Sequence, residues 1–254
     1  MELPRPLLDW FSAQGWALHP HQQAMLARAQ AASTLLIAPT GGGKTLMAAE
    51  AIGRMAREWP TGLAQPLVLW LVPSDAIRSQ TLKALQTPQH AYRAALEEKY
   101  GANLVVCSLE EVAQIAPSDW GVKTIVIVAT IQSFRVEETA GRTVYSFSED
   151  FERHFKGLPA NALQALRDVP DALVTPEEAA KDATGILKNH VNQPRQSLAN
   201  WLALQAPLLI VDEAHNTKTD KSFTALKRLN PSAILELTAT PIVGKANVLY
   251  HVSA

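Results

Sequence analysis

The chain has 254 residues, 47% of them hydrophobic and 19% charged, with a formal net charge of −1. That balance suits a globular protein with a sizeable core, as one large α/β domain or two small ones, and it lacks the basic excess of a dedicated nucleic-acid binder. No apolar run approaches the roughly 20 residues of a membrane span, and the start Met1-Glu2-Leu3-Pro4-Arg5-Pro6 lacks the basic and apolar stretches of a signal peptide.

Residues 7–32 read as two helices, about Leu7–Gln14 and His21–Ala31, joined through Gly15-Trp16-Ala17-Leu18-His19-Pro20. His19 and His21 stand without Cys or acidic companions, which makes them a weak metal-ligand set. The apolar run Thr34-Leu35-Leu36-Ile37 then leads into Ala38-Pro39-Thr40-Gly41-Gly42-Gly43-Lys44-Thr45, and Leu46 to Arg57 reads as a helix rich in Ala and Met. Strand, glycine turn, Lys-Thr and helix is the order that holds a polyphosphate. Glycines let successive backbone N–H groups point into one concavity, and the helix start adds the positive end of its dipole. Lys44 can reach the β and γ phosphates, and the Thr45 hydroxyl suits Mg²⁺. The strict pattern has Gly where this chain has Ala38. A plain glycine turn between strand and helix is the competing reading, and the Lys-Thr pair argues against it.

Further apolar, β-branched runs follow at Leu67–Val72, Leu104–Cys107, Thr124–Ala129, Leu208–Asp212 and Ile234–Thr238, with the first such run at Leu35–Ala38. Continuous runs of this kind are strands buried on both faces. Helical patterns at 74–86, 89–99, 109–115 and 221–228 fill the gaps, so the sequence predicts an α/β fold: a mainly parallel sheet with helices on both faces. The single cysteine, Cys107, rules out an internal disulfide, suits the cytoplasm and reads as a small buried side chain. Six scattered tryptophans read as packing residues. The interval 135–206 differs: helical stretches near Asn161–Arg167, Pro176–Asn192 and Gln196–Gln205 are punctuated by Pro159, Pro170, Pro176 and Pro194. It reads as a mostly helical insertion within a single domain spanning 1–254.

The strand Leu208-Leu209-Ile210-Val211 runs into Asp212-Glu213-Ala214-His215, which puts two carboxylates at the carboxyl edge of the sheet, where ligands bind in such folds. Asp212 is placed to hold Mg²⁺, and Glu213 to orient and deprotonate an attacking water. An acidic strand end that merely caps the next helix is the bland alternative. Ile234-Leu235-Glu236-Leu237 ends in Thr238-Ala239-Thr240-Pro241, two hydroxyls beside the acids that could sense a γ-phosphate or bond His215.

Ala38–Thr45, Asp212–His215 and Thr238–Thr240 resemble motifs I, II and III of superfamily 2 DEAH-type helicases and translocases, in which Ala at the position of Ala38 is common. Leu18-His19-Pro20-His21-Gln22 resembles the upstream segment whose Gln recognises adenine, so the resemblance gives Gln22 that role; a solvated glutamine is the plain reading. Val72-Pro73-Ser74, with Gln80, resembles motif Ia, and Ala129-Thr130-Ile131-Gln132-Ser133-Phe134 the next nucleic-acid-contacting segment. Asp212-Glu213-Ala214-His215-Asn216 with Leu235–Pro241 is most similar to the helicase (Res) subunit of type III restriction systems.

The resemblance implies a RecA-like first motor domain that binds ATP with Mg²⁺ against a second RecA-like domain. That second domain, with its motif VI arginines, is not visible here, so the reading expects a fragment of a longer motor. Implied roles are catalysis for Glu213, Lys44 and Asp212; nucleotide binding for Gln22, Thr40, Gly41, Gly42, Gly43, Lys44 and Thr45; and metal binding for Thr45 and Asp212. Coupling falls to His215, Thr238 and Thr240, and backbone contact with nucleic acid, DNA favoured over RNA, to Ser74, Thr130, Gln132 and Ser133. Ser74 and Gln132 as mere helix caps is the alternative. Restriction or phage-defence subunits are the implied partners. Two rival functions stay open: a P-loop enzyme acting on a small molecule, and a non-hydrolysing, nucleotide-dependent binding module.

Overall fold

The computed structural model describes residues 34–37, 43–55, 65–135, 143–213, 220–239 and 248–251, and elements are numbered over these residues. Seven strands, β1 (Thr34–Ile37), β2 (Leu67–Val72), β3 (Leu104–Ser108), β4 (Thr124–Thr130), β5 (Leu208–Asp212), β6 (Ala233–Thr238) and β7 (Val248–His251), form one sheet in the order β3-β4-β2-β5-β6-β1-β7. Each neighbouring pair is parallel. The first six strands fall on the six apolar runs, which confirms the α/β class. β7 was not expected. It pairs β1 alone, at the sheet edge opposite β3, and its register slips between Leu35 and Leu36.

The described residues gather into two compact units. The first holds the sheet, with 43–55 and 65–132 beside the strands. Its helices are α1 (Lys44–Met55), α2 (Asp75–Gln86) and α3 (Ala91–Tyr100). β2 and β4 are buried along their whole length, as central parallel strands must be when both faces are covered. On one face Val68, Trp70, Val72, Ile210 and Leu237 meet Met47 and Ile52 of α1, Leu85 of α2 and Leu96 of α3. The residues that point the other way, Leu69, Leu71, Ile127 and Leu209, are equally buried. Burying each such side chain contributes about 1.5–3 kcal/mol. Cys107 is buried too, and burial first, then the Glu111 charge, pushes its thiol up to about 12.

Ser74 caps α2, its hydroxyl accepting from Ile77 N–H at 3.4 Å, and His90 caps α3, its Nδ1 accepting from Tyr92 N–H at 3.3 Å. The gap expected to be helical at 109–115 holds only a short 3-10 turn, Val112–Gln114. Glu111 turns back there to accept the Ser108 N–H at 2.7 Å.

The second unit comprises 133–207 with 220–231 and is built from short helices: α4 (Glu152–Phe155), α5 (Ala160–Ala165), α6 (Pro176–Lys181), α7 (Leu198–Gln205) and α8 (Asp220–Arg228). In sequence, α8 reads as one more helix of the sheet; here it joins the second unit. Two buried arginines knit that unit together. Arg195, 5% exposed, donates to the carbonyls of Tyr145, Asp171 and Leu173 and pairs with Glu178 at 2.6 Å. Arg228 donates to the Pro170 and Asp171 carbonyls and to Asn200 Oδ1, and its guanidinium lies 4.6 Å from the centre of the Tyr145 ring. Asn200 Nδ2 in turn donates to the Ala172 and Arg195 carbonyls. Carbonyls that no helix or sheet could satisfy are thus taken up by guanidinium and amide donors.

Candidate functional site

The site lies at the carboxyl edge of the sheet in the first unit. Register alone brings its parts together: Ile37, the last residue of β1, stands opposite Thr238, and Leu237 opposite Asp212. The chain leaving β1 toward Lys44, the end of β6 and the acidic end of β5 therefore emerge side by side. Gly43 has φ 74°, in the left-handed region that favours glycine, and its carbonyl accepts the Met47 N–H at 3.1 Å to open α1. α1 can begin this close to the strands because Ala48, Ala49 and Ala51 bring little bulk to a fully buried stretch.

Three side chains, Lys44, Asp212 and Glu213, converge there. Lys44 is 8% exposed, and its Nζ lies 3.5 Å from Glu213 Oε1. Glu213 leaves β5 with φ 50°, an uncommon conformation for a non-glycine residue, and its N–H donates to Asp212 Oδ1 at 3.0 Å. That turn separates the two carboxylates: Asp212 is engaged by backbone while Glu213 swings to Lys44. Burial first, then the Glu213 charge, raises the Asp212 carboxyl above its ordinary value, against the pull of the Glu213 N–H and Lys44.

Close to Thr45, and within reach of the Asp212 charge, stands a half-buried side chain that the sequence did not single out, Tyr92 of α3. Burial raises its phenol above the ordinary value, nearby Thr45 opposes that shift, and the Asp212 charge adds to it. The Thr45 hydroxyl and the Asp212 carboxylate are both oxygen donors, the kind a small hard cation takes while keeping waters and phosphate oxygens as its other ligands. Among the described residues, no group of three or more His, Cys, Asp or Glu could hold a metal by itself. The donor set fits Mg²⁺ arriving with a phosphate better than a resident transition metal.

Thr238, fully buried, closes β6 next to these groups. The other half of the same edge carries the residues assigned to a polymer. Val72 stands opposite Thr130; Ser74 is exposed and Thr130 buried. Gln132, also exposed, donates from Nε2 to the Pro73 carbonyl at 2.9 Å, which ties the two segments together. Ser133 follows in the same 3-10 turn. Gln22, Thr40, Gly41, Gly42, His215 and Thr240 lie outside the described residues. Tyr92 escaped the sequence because nothing local marks it. Tyr92, Leu96 and Tyr100 share a helix face at i, i+4, i+8, and only the packing of α3 on α1 shows what that face meets.

Among curated proteins none matches the chain in sequence. Solved structures that match include the yeast DEAD-box splicing factor Prp28, 17% identical over 95% of this chain and 46% of its own, with a TM-score of 0.48. The Hef helicase domain of Pyrococcus furiosus is 17% identical over 91% of this chain and 34% of its own, at 0.42. A Saccharomyces cerevisiae Dbp5 variant bound to RNA and ADP BeF3 is 15% identical over 98% of this chain and 50% of its own, at 0.46. The chain spans half or less of the length of each. The model of the type III restriction enzyme res subunit matches residues 15–243, a stretch that takes in Lys44, Thr45, Tyr92, Asp212, Glu213 and Thr238, and to that family the chain belongs.

Proposed function

We propose that this chain is an ATP-binding motor domain of helicase type that hydrolyses Mg-ATP in response to nucleic acid, with DNA favoured over RNA. The observation that carries the reading is the ion pair of Lys44, at the start of α1, with Glu213, which follows Asp212 at the end of β5. Lys44 neutralises phosphate oxygens, and the N–H groups at the start of α1 point at the same charge. Thr45 and Asp212 would hold Mg²⁺, which would offset charge on the phosphate oxygens. Glu213 orients the attacking water and takes its proton. Because Glu213 already pairs with Lys44, a phosphate entering the site has to draw Lys44 away, which leaves the carboxylate free for water.

Exposed Ser74 and Gln132, with Thr130 and Ser133, stand in this reading as backbone-phosphate contacts. Hydroxyl and amide donors of this kind grip without reading bases, which suits a chain whose net charge is only −1. Gln22 on adenine, His215, Thr238 and Thr240 as couplers, a second RecA-like domain supplying arginines, and service in restriction or phage defence complete the proposal.

The experiment is ATP hydrolysis by the chain, with Glu213→Gln as control, alone and with duplex DNA, single-stranded DNA or RNA. A Glu213-dependent rate raised by one polymer supports the reading and names the substrate class. Binding of Mg-ATP without stimulated turnover favours the binding-module reading for the isolated domain. Turnover indifferent to every polymer favours a small-molecule enzyme.

A further inference from the structure

β3 (Leu104–Ser108) ends the sheet, and among the described residues no strand lies beyond it. In a parallel ladder, alternate residues turn their N–H and C=O groups to one neighbour and then to the other. The Ile125 N–H of β4 donates to the Pro66 carbonyl, on the β2 side, at 3.2 Å. Thr124, Val126 and Val128 therefore turn toward β3, where Val105 and Cys107 bond back to them, and Leu104, Val106 and Ser108 present their backbone groups outward. The strand, Leu-Val-Val-Cys-Ser, carries neither charge nor proline, the usual devices that keep an edge strand from pairing with another chain. Its outward groups are instead taken by side chains. Gln86, at the end of α2, donates from Nε2 to the Val106 carbonyl at 3.1 Å. Glu111 accepts the Ser108 N–H on Oε2 at 2.7 Å and returns its own N–H to the Ser108 carbonyl at 3.3 Å.

We propose that Gln86 and Glu111 guard the β3 edge, and that what they keep off is β3 of a second copy of this chain. The strand is self-complementary. A two-fold axis through Val106 sets Leu104 against Ser108 of the copy and Val106 against its own counterpart. An antiparallel pair of this kind needs both backbone groups of all three outward residues. Half of those groups, the Val106 carbonyl and both groups of Ser108, are already held by Gln86 and Glu111. A second copy has to displace an amide and a carboxylate from each chain before its own bonds form. Without the guards, an apolar, β-branched edge is left open to pairing. The inference is independent of the nucleotide site.

The test is sedimentation velocity of the 254-residue chain over a wide range of concentration, with circular dichroism to show that each variant is folded. Gln86→Ala combined with Glu111→Ala associates at concentrations at least about tenfold lower than the native chain. Gln86→Ala alone, a change at an exposed helix end that leaves the Ser108 turn intact, shifts association in the same direction by less. In the double variant, hydrogen exchange across 104–108 slows as concentration rises. Adding Val106→Pro, which removes an outward N–H, returns that variant to the native behaviour. A folded double variant no more associated than the native chain overturns the proposal. So does association that Val106→Pro leaves in place, or that protects amides elsewhere instead of 104–108. If the double variant does not fold, Gln86→Ala decides alone, and association unchanged from the native chain overturns the proposal.

Discussion

Glu213 has two partners to choose between, and its substitution separates them. Glu213→Gln removes the proton acceptor, so polymer-stimulated turnover should fall about 10²–10⁴-fold. Because the same change deletes the carboxylate that pairs with Lys44 at 3.5 Å, nucleotide affinity should hold or tighten. Steady-state hydrolysis beside a binding titration checks both halves. Asp212 gives a prediction of opposite kind. Its carboxyl is raised by burial and by Glu213, so folding favours its protonated form. The stability this contributes is complete below the ordinary carboxylate range and is lost as pH rises through the raised value. At neutral pH the charge is a net cost, and Asp212→Asn should raise the melting temperature of the nucleotide-free chain while abolishing Mg²⁺-dependent binding. The advantage should shrink in melts run toward acid pH.

Among the elements, the strands were the most legible. Leu67–Val72 and Leu208–Asp212 begin and end where their apolar runs do, because a strand buried on both faces has no polar position with which to blur its limits. The residues of the site that sit at strand ends, Asp212, Glu213 and Thr238, could be found from order along the chain; Tyr92 could not, since its place near them depends on which helix lies beside α3. The second unit was legible as helical but not as a fold. Its organisation hangs on Arg195 and Arg228, and a buried arginine looks in sequence like any surface one. Arg195→Met should therefore destabilise that unit by at least about 1–3 kcal/mol, since it leaves the Tyr145, Asp171 and Leu173 carbonyls without that donor. Hydrogen exchange over 143–207 should accelerate strongly, while a variant at exposed Lys181 should leave it unchanged.

At the scale of the whole molecule, a ligand that binds only the folded state stabilises it by RT ln(1 + [L]/Kd), about 2.7 kcal/mol at a hundredfold excess over Kd. Cys107, in β3 of the sheet, offers a reporter of that linkage. With its thiol pushed up to about 12 and its side chain buried, alkylation at pH 8 should wait on opening of the sheet. Mg-ADP should slow it in the native chain and have no effect on the Lys44→Ala variant; mass spectrometry of the labelled fraction reads this directly. The sheet order carries a further consequence. β1, the strand that leads to Lys44, has as its neighbours only β6 and β7, formed from residues 233–238 and 248–251. Early synthesis thus yields a strand with nowhere to pair. A nascent chain halted before residue 233 would hold Lys44 and Glu213 with no strand to bridge them, so on the ribosome nucleotide competence should arrive abruptly and late, once β6 slots in between.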